Sequence, residues 1–357
     1  MEVLSTAMVS LLLIFLFIFF ILRDSQKKDL PPGPSPSPIV GNLLQLGKKP
    51  HAEFAKLALE YGELFTLKLG SQTVVVASSP AAAAEILKTH DKILSGRYVF
   101  QSIRVKEHND YSIVWSECNE NWKFLRKVCR TELFSPKMIE SQAYIREAKA
   151  LDMVRFLRNK EDEVVKIVEV VFSTLFNIFG KLIFSKDVFD LEDPTGGSAE
   201  LKEHLWKLMD MGKYSTNPAD YFPIMGKFDL FGQRREAAKV LKQIYDVWGV
   251  MLKERRRSIK VNKENDFVNV LLNAGLDDQK INALLMDIFG AGTETSASTI
   301  EWAITELTKN PRNFEWSLPL GVNTHELNMD EKFGLTLQKD PPLLIVLKAR
   351  TSMKLQD

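Results

Sequence analysis

A run of small and polar residues interrupts an apolar helical pattern late in the chain: Gly290, Gly292, Thr293, Thr295, Ser296, Ser298 and Thr299. Glycine inside a helix costs about 1 kcal/mol relative to alanine, and Ser and Thr prefer caps and turns. Such a cluster implies that something approaches this backbone closely, a second helix being the structural alternative. Thr295 can hydrogen-bond to a carbonyl one turn earlier and bend the helix, and Glu294 sets a carboxylic acid beside that bend. Trp122 and Arg126 form a second pair with chemical potential. Four residues apart, they share one helix face, and the guanidinium fork suits a carboxylate. The structural alternative there is an amphipathic helix with a surface arginine. Cys118 and Cys129 lack the CxxC spacing of a zinc site or redox pair. Cys129, in mid-helix, reads as a small buried hydrophobe. The histidines, at 51, 90, 108, 204 and 325, form no HxxxH or HxxE cluster.

These residues must be positioned by long helices. Ile281, Leu284, Leu285, Ile288 and Phe289, then Ile300, Ala303, Ile304 and Leu307, recur at helical spacing. The spacing predicts one helix over 278–309, capped by Asp277 or Asp278 and ended at Asn310-Pro311. At about 1.5 Å per residue it runs on the order of 45–50 Å, enough to cross a domain. Further helices are predicted over 51–61, 80–90, 121–134, 135–157, 164–184, 199–211 and 235–260, and Asp266 to Leu272 leads through a loop into the long helix. Leu64–Leu69 and Thr73–Ala77 read as strands around Gly70-Ser71, a short-hairpin signal. Residues 95–114 carry few periodic signals. The fold class is mainly α with a small β part.

With 357 residues the chain can bury a large core, and a net charge of +1 makes no electrostatic case for nucleic acid. Val3 to Leu22 is apolar except for Ser5, Thr6 and Ser10, about the 20 residues that span a bilayer. Glu2 and the absence of a small-residue cleavage site disfavour a cleaved signal peptide. Arg23, Lys27 and Lys28 follow, so residues 1–23 read as an uncleaved anchor with a cytosolic body. Two cysteines suit that compartment. Residues 24–45 read as a hinge whose proline-dense run, Leu30 to Asn42, is either a stiff, extended spacer or a disordered linker. Residues 217–231, aromatic and proline-containing, read either as a segment dipping into the membrane interface or as packing between helices. The charge run Lys253 to Arg257 reads as a solvated face.

The string Ala291-Gly292-Thr293-Glu294-Thr295 resembles the oxygen-binding helix of cytochrome P450, the haem-thiolate monooxygenases. The resemblance implies that Ala291 and Gly292 make room for dioxygen above a haem and that Glu294 and Thr295 help deliver protons for O–O cleavage. Trp122-x-x-x-Arg126 is similar to the motif whose Arg pairs with a haem propionate, the Trp packing beside it. The proline hinge after an anchor, and then helix, hairpin and helix, match microsomal members. The implied setting is the endoplasmic reticulum membrane, with haem as cofactor, NADPH-cytochrome P450 reductase as electron donor and a small apolar substrate. Ser95-Gly96-Arg97 with Tyr111–Trp115 resembles plant members that oxidise terpenoids and small phenolics.

The resemblance breaks after Arg312. The family's ExxR helix and its FxxGxRxCxG loop, which carries the axial cysteine, have no counterpart, and no cysteine follows Cys129. Glu254 and Arg257 form a literal ExxR, but it precedes the oxygen helix and is rejected. Residues 313–357 instead resemble the family's extreme C-terminus, with Phe314–Pro319 and Lys332–Leu337 as its closing turn and strand. The organisation read here is an anchor (1–23), a hinge (24–45), the N-terminal and oxygen-helix part of the domain (46–312) and its β/turn tail (313–357). The expected fold is thus cytochrome P450-like without its proximal haem-binding segment, with no axial metal ligand. A chain of this kind is expected to be inactive. The alternative is a non-catalytic membrane-anchored protein that binds reductase or partner enzymes, for which the charged helix 235–260 is the support.

Overall fold

The computed structural model describes residues 29–193, 199–211, 217–258, 266–309, 318, 327–333 and 336–346. The predicted anchor, the Arg312–Phe314 junction and most of the tail's closing turn lie outside these residues. The chain divides into two compact units, one running to Leu94 and joined by Asn217–Phe228, the other beginning at Ser95 and resuming at Asp229.

The first unit is built on a hairpin. Strands β1 (Leu64–Leu69) and β2 (Gln72–Ala77) pair antiparallel from Leu64↔Ala77 to Leu69↔Gln72, with Gly70 at φ +59° in the turn. Alternation buries Phe65, Leu67 and Leu69 against Leu46 and against Phe54 and Leu57 of the Pro50–Tyr61 helix. The described part of the proline-rich stretch turns back at Ser37–Gly41 and enters a 3-10 turn at Leu43–Gln45, and it is hydrogen-bonded to β1. Thr66 N–H donates to the Pro32 carbonyl (2.8 Å), and Lys68 N–H donates to Asn42 Oδ1 (2.8 Å). Residues 217–228 form two short helical turns that close on the hairpin tip: Ser71 N–H and Oγ–H both donate to the Tyr221 carbonyl (2.9 and 2.8 Å).

The second unit is mainly helical. Its centre is the apolar Ile167–Phe184 helix packed along the Asp278–Lys309 helix. Phe176 and Phe289 stack there at 4.3 Å, and Trp248 of the Gln233–Ser258 helix stacks on Phe289 at 5.7 Å. Among the described residues, Ile167–Phe184 is the one helix long and apolar enough to cross a membrane; 67% of it is buried, as befits a core helix. The long helix starts as predicted, and Asp277 is its cap: Oδ1 accepts from Lys280 N–H at 2.9 Å.

Three expectations need correction. Residues 164–184 are not one helix: Val164–Lys166 form β3, paired antiparallel with β6 (Leu344–Val346). The partner lies far along the chain, so no local pattern reveals it. Residues 135–157 are two helices, Pro136–Ser141 and Ala143–Asn159, broken at Gln142. The charge run 253–257 is not wholly solvated. Arg255 is buried, pairs with Asp266 at 2.6 Å and donates to the Phe184 carbonyl at 2.7 Å. A buried arginine persists because it is paired and fully hydrogen-bonded. Glu254 pairs with Lys186 and Arg256 with Asp278. The remaining strands, β4 (Glu331–Lys332) and β5 (Gln338–Lys339), pair with each other and bring the tail onto the long helix.

Candidate functional site

The Asp278–Lys309 helix absorbs its polar cluster without breaking. Thr293 Oγ1 donates to the Phe289 carbonyl (2.6 Å), Thr295 to Ala291 (2.7 Å) and Thr299 to Thr295 (2.8 Å), each one turn back. Ala291, Thr295 and Thr299 fall on one exposed face, a strip of small residues with one per turn. The close approach that glycine implies is made by an aromatic ring: a Cβ on Gly292 would stand 2.3 Å from Phe179 Cζ.

Glu294 points elsewhere. It is 3% exposed and accepts from Thr336 Oγ1 (3.0 Å) and Gln338 Nε2 (2.5 Å) of the tail. The structure therefore brings Ala291 and Thr295 together on the open strip and sets Glu294 on a different side of the helix. The tail is held at further points. Ser298 Oγ–H and Trp302 Nε1–H donate to the Leu337 carbonyl (3.2 and 2.9 Å), and Glu301 Oε1 accepts from Leu343 N–H (2.8 Å).

Trp122 and Arg126 occupy the Glu120–Glu132 helix, capped by Asn119, whose Oδ1 accepts from Trp122 N–H at 2.9 Å. Arg126 is exposed. Trp122 is half-buried, and its Nε1–H donates to the Ile113 carbonyl at 2.9 Å. On its other side Ile113 meets a residue to which sequence reasoning gave no role. Asp287 accepts from Ser112 Oγ–H (2.7 Å) and from Ile113 N–H (2.6 Å). Burial pushes its carboxyl up to about 7, against the pull of those hydrogen bonds. The signal was present: an aspartate between Met286 and Ile288 in a buried run demands partners. Nearby, His108 Nδ1 and Tyr245 Oη share a hydrogen bond of 2.7 Å, and burial pulls the His108 imidazole down to about 4, so it is neutral.

Cys129 is fully buried, and burial, with Asp287's charge second, pushes its thiol up to about 12. Cys118 is exposed, just before the Trp122 helix. No group of three or more His, Cys, Asp or Glu side chains fit to hold a metal occurs among the described residues.

The cytochrome P450 family model matches residues 31–315, most of the chain. The chain belongs to the cytochrome P450 family. It is 60% identical to the probable (S)-N-methylcoclaurine 3'-hydroxylase isozyme 2 of Coptis japonica. That alignment runs over 488 residues and covers 99% of this chain and 100% of the relative, so a long segment of the relative is matched to nothing here. The chain is 68% identical to (S)-N-methylcoclaurine 3'-hydroxylase isozyme 1 of Papaver somniferum, over 83% of this chain and 62% of that protein. To isozyme 1 of Eschscholzia californica it is 63% identical, over 86% of the chain and 64% of that protein. It thus spans less than two thirds of the length of those two relatives. These names correct the expectation of a terpenoid-type member.

The family's cofactor is haem, and the residues present fit it unequally. The strip Ala291–Thr295–Thr299 is open and small enough for a flat group to lie against. The metal donor is not matched by position: Cys129 is fully buried among the apolar side chains of the core, and Cys118 is on an exposed loop before the Trp122 helix. The described residues do not fit a thiolate-ligated haem.

Proposed function

We propose that this chain has the frame of an N-methylcoclaurine 3'-hydroxylase and does not itself turn over substrate. The parental activity inserts one oxygen atom from O2 into the benzylisoquinoline N-methylcoclaurine, with electrons from NADPH through a reductase, at the endoplasmic reticulum membrane through a single N-terminal span. The observation that carries the reading is the place of Cys129, fully buried in the apolar core and followed by no further cysteine in the sequence. The long relative segment without a counterpart supports it. Glu294 and Thr295, Ala291 and Gly292, and Trp122 and Arg126 are then inherited positions for proton delivery, dioxygen and propionate contact. The rival reading, a partner-binding protein using its basic helix, loses support because Arg255 and Arg256 are committed to Asp266 and Asp278.

The test is the full chain in membranes with reductase, NADPH and (S)-N-methylcoclaurine, together with a total haem assay and the reduced CO-bound spectrum. No thiolate-type Soret band and no hydroxylated product are expected. Either a band or a product overturns the reading.

A further inference from the structure

Away from the open strip, the tail and the long helix line a half-open cavity of about 200 Å³ between the helix, the start of Ile167–Phe184 and strand β5. Its wall holds Glu294 and Glu301, two helical turns apart on one face and each 3% exposed. Both use one carboxylate oxygen. Glu294 Oε1 takes the Thr336 and Gln338 donors, and Glu301 Oε1 takes Leu343 N–H. Their second oxygens have no hydrogen-bond donor among the described residues. Each is left open to accept from a donor in the cavity, and burial pushes the Glu301 carboxyl upward.

The cations nearby are already committed. Lys166, half-exposed, pairs with Glu169 at 2.6 Å. Lys339 is buried and donates to the Pro341 carbonyl at 2.7 Å. Two buried carboxylates therefore face one buried ammonium, leaving one negative charge in excess. Val168, Pro342 and the indole of Trp206 give the lining its apolar part, and Trp206 packs on Phe172 at 4.7 Å, centroid to centroid. An aromatic face beside an acid is the arrangement that receives a cation with an apolar body.

We propose that this cavity binds a small organic ammonium ion, its N–H groups donating to the free oxygens of Glu301 and Glu294 and its apolar part lying against Trp206. The site needs no haem and is independent of the reading given above. Glu301 is the principal acceptor, since Glu294 already receives two donors.

The test is calorimetric titration of the full-length chain with benzylamine, with benzyl alcohol as the uncharged comparison. Glu301→Gln keeps an acceptor for Leu343 N–H and removes the charge. Saturable binding of benzylamine, weakened at least about tenfold in Glu301→Gln and absent for benzyl alcohol, is expected from the loss of a charge-assisted hydrogen bond. An unchanged thermal midpoint for Glu301→Gln shows that the tail stays docked. Should that midpoint fall, Glu294→Gln, expected to weaken binding less, replaces it. Failure of benzylamine to bind, equal binding to wild type and variant, or equal binding of benzyl alcohol overturns the proposal.

Discussion

Asp287 and Trp122 hold one residue, Ile113, by its two backbone groups: the carboxylate takes its N–H at 2.6 Å and the indole N–H reaches its carbonyl at 2.9 Å. The loop that the sequence pattern leaves irregular is thereby fastened between two helices. Asp287→Ala leaves Ser112 Oγ–H and Ile113 N–H without their acceptor and is expected to cost about 1–3 kcal/mol. Trp122→Phe removes one donor and is expected to cost about 1 kcal/mol. Because both act on Ile113, a double-mutant cycle by urea unfolding should give a coupling above about 0.5 kcal/mol. Strict additivity would mean that the loop is held elsewhere.

The same aspartate gives stability an unusual pH dependence. Its carboxyl titrates near 7 in the fold and near its ordinary value of 3.8 when unfolded. The folded state therefore binds the proton more tightly, and its contribution to stability grows as pH falls from about 7 to about 4. His108 acts in the opposite sense. Held neutral down to about 4, it loses stability as pH drops below its ordinary 6.5. In wild type the two trends offset over much of that range. Asp287→Asn should unmask the histidine, so that stability falls on acidification; His108→Gln should unmask the aspartate, so that stability rises. Unfolding midpoints measured from pH 7.5 to 4.5 check both signs, and parallel profiles for the two variants would contradict this account.

Local patterns carried much of this architecture. The 278–309 helix, the hairpin about Gly70 and the Trp122 helix follow from periodicity and turn chemistry that each segment states for itself. What the sequence did not reveal depends on residues far apart in the chain. Val164–Lys166 becomes a strand because Leu344–Val346 arrives beside it, and Arg255 is buried because Asp266 meets it. At the site, residue types were legible but directions were not. Glu294 and Thr295 are neighbours in sequence, yet a step of about 100° around the helix sends one to the tail and the other to solvent.

The two cysteines should differ sharply in reactivity. Thiolate is the reactive form, and Cys129 is both buried and pushed up to about 12. Iodoacetamide at pH 8 is expected to label one thiol per native chain, Cys118, and two after denaturation. Labelling of Cys129 in the native protein, read by peptide mass mapping, would show it to be accessible as thiolate and would reopen its candidacy as a metal ligand.

Gly292 tests what its helix was built to admit. In an open helix, Gly→Ala gains about 1 kcal/mol. Here the new methyl would meet the Phe179 ring at 2.3 Å, and that ring packs edge-on to Phe289 with centroids 6.0 Å apart. Overpacking of this kind costs about 1–3 kcal/mol, so Gly292→Ala is expected to lower stability despite its better helix propensity. Phe179→Leu alone shortens the ring and costs packing. Combined with Gly292→Ala it makes room for the methyl, so the double variant should be more stable than the sum of the single effects predicts. If Gly292→Ala instead stabilises the chain, Phe179 yields freely, and the close approach at this glycine belongs to a group other than that ring.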